Sequence, residues 1–207
     1  MIKVREIEVW GFDHASRGMR NPMNSWDKSD SVFGTIIDIG PNDVGLMKKL
    51  IAAGPEHRKF LRQIFVSMDI TAPLYWWKEF DTYKVGTAAN SCSTMHKLTA
   101  KEFTLDDFSH EHLHLDETEL LKEIIDTLNS YRELYNESKW KDDWWQMIQL
   151  LPSSYNQMRT VTMNYENVYS MIRQRTDHKL DEWNEFVLIL WGLPGVKKMF
   201  AKEGKNV

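Results

Sequence analysis

One run constrains the fold of this chain more than any other. It is Ala72-Pro73-Leu74-Tyr75-Trp76-Trp77-Lys78-Glu79-Phe80-Asp81-Thr82-Tyr83-Lys84, continuing through Ala89-Asn90-Ser91-Cys92-Ser93-Thr94. The residues before it, 60–71, carry β-branched and aromatic side chains and read as a buried strand. Pro73 suits the first turn of a helix, where its missing N–H costs nothing. A helix from about 73 to 81 follows. Residues 84–100 are small and polar and read as a loop.

Residues 2–10 alternate charged and apolar side chains, a strand pattern with Ile2, Val4, Ile7 and Val9 as inward candidates and a slip near Arg5. The segment 11–42 is rich in Gly, Asn, Asp and Ser and reads as loop with at most a short helix. Asn42-Asp43 can cap a helix to about Ala53, stopped by Gly54-Pro55. Leu120, Leu121, Ile124, Ile125, Leu128, Tyr131, Leu134 and Tyr135 recur at helical spacing between Asp116 and Ser138. Further helices are expected over 142–151, 166–175 and 177–193, with a strand over 158–163. Many helices and a few distant strands make α+β the expected class.

The chain has 207 residues with no repeat, low-complexity tract or long linker, so a single domain over 1–207 is expected. A net charge of −4 argues against broad nucleic-acid binding, which needs a basic face. Cys92 is the single cysteine, which excludes an intrachain disulfide and fits a reducing compartment. No apolar run approaches the roughly 18–20 residues that span a bilayer. The N-terminus lacks the apolar core of a signal peptide. The expected location is the cytoplasm, with no membrane partner.

The frame at 72–94 resembles the signature of the flavin-dependent thymidylate synthases. There a strand ends at Ala-Pro, an aromatic helix follows, and then come Arg-His-Arg, two residues, Ser and an Asn-Glu-x-Ser-x-Arg loop. The likeness covers about 43–98 and 151–190. The second block holds Leu151-Pro152, then Thr160-Val161-Thr162-Met163-Asn164-Tyr165-Glu166-Asn167, then Ile172-Arg173-Gln174-Arg175-Thr176-Asp177-His178-Lys179. The resemblance implies an α+β fold with helices packed on a small, mostly antiparallel sheet. It also implies a homotetramer that methylates dUMP, or a related pyrimidine nucleotide, with a folate one-carbon donor and reduced FAD. NADPH and methylenetetrahydrofolate would be the co-substrates. The flavin would supply the redox chemistry and the protein positioning and charge.

Carried over position by position, Arg175 is the implied catalytic and substrate-binding residue, contacting dUMP and polarising its ring. It reads equally as a cation favouring a helix C-terminus. Asn164 matches a flavin-contacting asparagine, and a polar cap at a helix start serves the same residue type. Lys84 stands for an arginine and keeps its charge without the planar fork. Thr87 replaces a serine and keeps a hydroxyl, so Lys84, Thr87 and Asn164 are the implied cofactor-binding set. Arg159, Asn90, Ser91 and Cys92 complete the implied substrate-binding set.

The departures fall on charge. Thr82, Tyr83, Asn90, Cys92 and Thr94 replace Arg, His, Glu, Ser and Arg, and Glu166 reverses an expected arginine. Losing a charge-assisted hydrogen bond costs roughly 1.5–3 kcal/mol, one to two decades of affinity. Arg58, Lys78 and Arg173 are candidate replacements. Two functions follow: a divergent flavin enzyme, or a catalytically inactive nucleotide-binding or structural protein on the same fold.

Other constellations weigh less. Cys92 near Lys84, His96 and Lys97 has the surroundings of a nucleophile, but a lone cysteine is more often a small side chain. His110, His112 and His114 alternate and would share one face of a strand as metal ligands, although a solvated loop is the stronger expectation. Trp76-Trp77 and Trp144-Trp145 can stack a base or pack a core, since neighbours on a helix point in different directions. The polar run Arg17 to Ser31 reads as a binding loop or a solvated connection.

Overall fold

A computed structural model describes residues 2–94 and 98–201, so the His96 and Lys97 of the nucleophile reading lie outside the described residues. In chain order the elements are β1 (Lys3–Trp10), α1 (Phe12–Arg20), β2 (Val32–Phe33), β3 (Ile37–Asp38), α2 (Pro41–Ala53), β4 (Phe65–Pro73), α3 (Leu74–Phe80) and β5 (Thr87–Ser91). They continue with α4 (Leu115–Ser138), α5 (Lys141–Leu150), β6 (Asn156–Asn164), α6 (Tyr165–Arg175), α7 (Asp181–Gly192) and α8 (Val196–Phe200). The strands form a four-stranded sheet in the order β1-β4-β6-β5 and a small antiparallel pair, β2-β3. Thr160 bonds Asp69 while Thr162 bonds Ser67, so steps up β6 match steps down β4 and that pair is antiparallel. The α+β expectation holds.

The chain falls into two compact units: Met1–Val4, Asp69–Thr82 and Asn90–Thr160, then Arg5–Met68, Tyr83–Ala89 and Val161–Val207. In the first unit, α4 turns Leu121, Ile125 and Leu128 inward at spacings of four and three, onto Met147 of α5 and onto Leu98, Phe103 and Phe108. Burying each such side chain stabilises by about 1.5–3 kcal/mol. Leu120 and Leu134, expected on that stripe, are exposed. Trp76 and Trp77 both lie in the core, edge to face, with Phe80 against them. That excludes them as a stacking platform. Of the second tryptophan pair, Trp144 packs against the α4–α5 core, while Trp145 is 40% exposed.

In the second unit Phe12 of α1 meets Tyr165 edge to face at 5.5 Å, and α6 packs along α7 through buried Val168, Met171, Trp183 and Phe186. Burial pushes the Tyr165 hydroxyl's pKa far up, and it donates to the Pro194 carbonyl.

Several local expectations change. The slip in β1 is a backbone kink: Glu6 has φ 52, and Ile7 ends up exposed. Residues 12–20 form the short helix that the expectation for 11–42 allowed, because Phe12, Ala15 and Met19 give it a buried stripe. Gly40 caps α2, not Asn42 or Asp43; Asp43 turns instead toward Arg20. Residues 59–63 are a 3-10 turn before β4 begins at Phe65, and 87–91 form the edge strand β5 where a loop was expected.

Candidate functional site

The second unit gathers its candidate residues around the two ends of α6. At the start, Asn164 ends β6 in an extended conformation and its side chain accepts the Asn167 N–H, capping the helix. Asn167 in turn donates to the Thr87 hydroxyl. Gly86 has φ +77, and a Cβ there would collide with the Asn164 amide. Thr87 and Asn164, both implied cofactor residues, are therefore joined through Asn167, which sequence reasoning quoted but gave no role. Its signal was position: an asparagine three residues past a cap.

One residue into the helix, Glu166 forms a two-pronged pair with Arg58, with contacts of 2.7, 2.9 and 3.1 Å. The bond from Glu166 raises the Arg58 pKa further still, against the desolvation that opposes it. Arg58 lies over the Tyr169 ring at 4.8 Å. Arg173 lies 5.4 Å from the same ring and donates to its hydroxyl. The charge reversal at Glu166 is thus matched by a cation from the turn before β4.

At the other end of α6, Arg175 is half-buried among aromatic rings. Its guanidinium carbon lies 4.7 Å from the Trp183 centroid and 5.6 Å from that of Tyr83. Nε donates to the Tyr83 hydroxyl at 3.0 Å, and that hydroxyl donates to Gln174 at 2.9 Å. Nη1 lies 3.1 Å from Nε2 of His178. Asp177, at φ 59, turns the chain and returns His178 to the arginine. Lys84, next to Tyr83 in the chain, is exposed. Tyr83, the residue in place of a histidine, is the floor on which Arg175 rests.

The first unit holds the other candidates. Arg159 lies 4.2 Å over the Trp77 ring, donates to Gln157 at 3.0 Å and pairs with Asp81 at 2.8 Å. Gln157 is buried and donates to the Cys92 carbonyl at 2.7 Å, while the Cys92 N–H bonds Met158. Arg159 and Cys92 are thereby linked through Gln157. Asn90, Ser91 and Cys92 are exposed, as is Lys78. Among the described residues no cluster of three or more His, Cys, Asp or Glu side chains could hold a metal. His112 and His114 are exposed before α4, as the loop reading expected.

The polar run 17–31 is organised by the chain itself. Arg20 and Asp43 form a buried pair, 4% and 0% exposed. Arg20 also donates to the Ser25 and Lys28 carbonyls, and Ser16, Ser29 and Ser31 donate to Asp43. Burial pushes the Asp43 carboxyl up, but the bonds from Ser31, Ser29 and Arg20 outweigh it and hold it below the usual carboxylate range. A cavity of about 140 Å³ lies beside this knot, lined by Ser16, Arg17, Arg20 and Trp26 among others.

These features define a chain with the fold of the flavin-dependent thymidylate synthases. Two crystal structures of flavin-dependent thymidylate synthase ThyX from Helicobacter pylori, both with FAD and dUMP, superpose on it with TM-scores of 0.67 and 0.69. Identity is 17% in both, over 94% and 96% of this chain and 96% of each neighbour. No protein-family model matches the chain. No curated protein sequence matches it either.

Proposed function

We propose that this chain is a pyrimidine-nucleotide-binding protein built as one domain on the flavin-dependent thymidylate synthase fold, without flavin-dependent methyl transfer. One observation carries the reading: Arg175 is held against the Trp183 and Tyr83 rings, half-buried, at the position the family resemblance gives to dUMP. A guanidinium held in this way recognises a phosphate or carbonyl oxygen without first losing its freedom. Exposed Lys84 nearby in the chain supplies a second cation. The neighbours' dUMP supplies the ligand class.

The residues at the start of α6 do not fit FAD. A helix start attracts anions, yet here the chain supplies its own, the Glu166 carboxylate, and Arg58 is already paired with it. A flavin dinucleotide brings two phosphates to a place whose positive charge is taken. Arg159, Asn90, Ser91 and Cys92 stand as proposed nucleotide contacts of the first unit. The reading extends to a homo-oligomer, measured by light scattering.

A second reading keeps the methyl transfer to dUMP, with FAD, NADPH and methylenetetrahydrofolate and with Arg175 polarising the pyrimidine. The Thr87–Asn167–Asn164 cluster at the start of α6 favours it. Two measurements on purified protein separate the readings. They are the visible absorption spectrum before and after incubation with FAD and gel filtration, and calorimetric titration with dUMP. The expected outcome is a colourless protein that binds dUMP. Retained yellow flavin would move the conclusion to the second reading, and neither ligand binding would sink both.

A further inference from the structure

The cavity of about 140 Å³ beside the Arg20–Asp43 knot is walled by residues of one unit, among them Asp13, Ser16, Arg17, Trp26, Ser29 and Phe33. It has room for about five water molecules, each taking roughly 30 Å³ in the liquid. The nucleotide reading gives it no part.

The polar wall is built to accept hydrogen bonds. Ser16, Ser29 and Ser31 all donate to Oδ2 of Asp43. Those bonds hold Asp43 ionised, and a carboxylate only accepts, so each serine gives its one hydrogen to it. The serine oxygens keep lone pairs, of which Ser31 already offers one to the Gly40 N–H. Arg20 directs its donors to Asp43 and to the Ser25 and Lys28 carbonyls. A ligand that carries N–H donors is matched to this wall.

The rim carries both signs of charge. Asp13 and Arg17 stand one turn apart on α1, with 3.7 Å between Nε and the carboxylate and both side chains more than half exposed. A pair so exposed is held weakly, so opening it costs little. Nη2 of Arg17 lies 2.8 Å from Nδ1 of His14. A guanidinium has five N–H donors, enough to keep that contact and still receive a carboxylate. Two rings complete the walls, each fixed in advance: Trp26 donates to the Asn21 side chain at 2.9 Å, and Phe33 stacks on Phe12 at 6.2 Å. The charges of Asp13, Arg17, Arg20 and Asp43 cancel, so the surroundings favour neither a bare anion nor a bare cation.

We propose that this cavity binds a free amino acid, with its ammonium on the serine oxygens and Asp13, its carboxylate on Arg17, and an apolar side chain against Trp26 and Phe33. A zwitterion answers the acceptor wall and the guanidinium at once, and its net charge matches that of the site. The inference stands apart from the nucleotide reading.

The test is calorimetric titration of the full chain with each of the twenty free amino acids. The tightest binder is then compared with its decarboxylated amine and its deaminated acid. The expected result is an apolar amino acid binding with Kd of about 1 mM. Each single-charge analogue should bind about tenfold weaker or worse, as should the amino acid to Arg17→Gln and to Asp13→Asn. Both residues are exposed, so these variants keep the fold, and the analogues need no variant. No amino acid binding below 10 mM overturns the proposal. So does an analogue that binds as tightly as its parent, or unchanged affinity in Arg17→Gln. A loss of dUMP affinity in Arg17→Gln, with no amino acid bound by the wild type, would overturn it too and give the cavity to the nucleotide.

Discussion

Arg20 and Arg175 belong to the same unit and both end a helix, yet one is architecture and the other the proposed nucleotide contact. Arg20 is 4% exposed and its donors close on Asp43 and on the Ser25 and Lys28 carbonyls. Every partner is part of the chain, so the pair straps the 21–31 segment to α2 and has nothing left to offer. Arg175 is half-buried, rests on aromatic faces, and has one guanidinium nitrogen 3.1 Å from Nε2 of His178. The same side chain serves both ends because a guanidinium can be satisfied by oxygen or supported by π-faces. Satisfaction by oxygen locks a loop; support by rings holds a half-buried guanidinium in place at the end of a helix.

That contrast breaks first at Asp43. Replacing it with Ala leaves Arg20 buried without its counter-charge, and urea unfolding should show a loss of about 3–5 kcal/mol. A loss below about 1 kcal/mol would mean that the pair is not architecture. Acid gives a second view of the same site. The folded Asp43 carboxyl lies below its ordinary value, so its contribution is fully present above about pH 4 and fades as pH falls through the folded value. Unfolding midpoints in the Asp43→Asn variant should fall less steeply in that acid range than in wild type; parallel curves would refute the assignment.

For Arg175→Ala the expectation runs the other way. Circular dichroism and melting temperature should stay near wild type, while dUMP affinity drops by one to two decades, about 1.5–3 kcal/mol. Unchanged affinity would remove Arg175 from the site. Gly86→Ala adds a Cβ at φ +77 against Asn164, and a destabilisation of about 1–3 kcal/mol should appear as a lower melting temperature. At the small end lies Arg17→Ala. Arg17 is exposed beside Asp13, and removing it should alter stability by less than about 0.5 kcal/mol. A larger effect would extend the architectural knot to the surface.

How much of this was legible depends on what the pattern rewards. The long helix α4 was readable because Leu121, Ile125 and Leu128 repeat with the period that buries them. α1 was legible only as room for a short helix somewhere in 11–42, because Ser16 and Arg20 on it are buried against Asp43, 27 and 23 residues further on, which no local window contains. Arg175 was named from its place in a motif, but its tyrosine floor was seen only as a missing histidine. Asp43 was read as a cap, since an aspartate near a helix start usually is one. The Arg58–Glu166 pair was half visible. The sequence showed a reversed charge at 166 and a spare arginine at 58, but 108 positions separate them and only the fold brings them together.

That pair also ties two distant positions into a single unit of change. Placing an arginine at 166 while Arg58 is in place would set two cations side by side, and removing Arg58 alone would strand a half-buried carboxylate. Either single change leads to a less stable protein, so positions 58 and 166 are exchangeable only together.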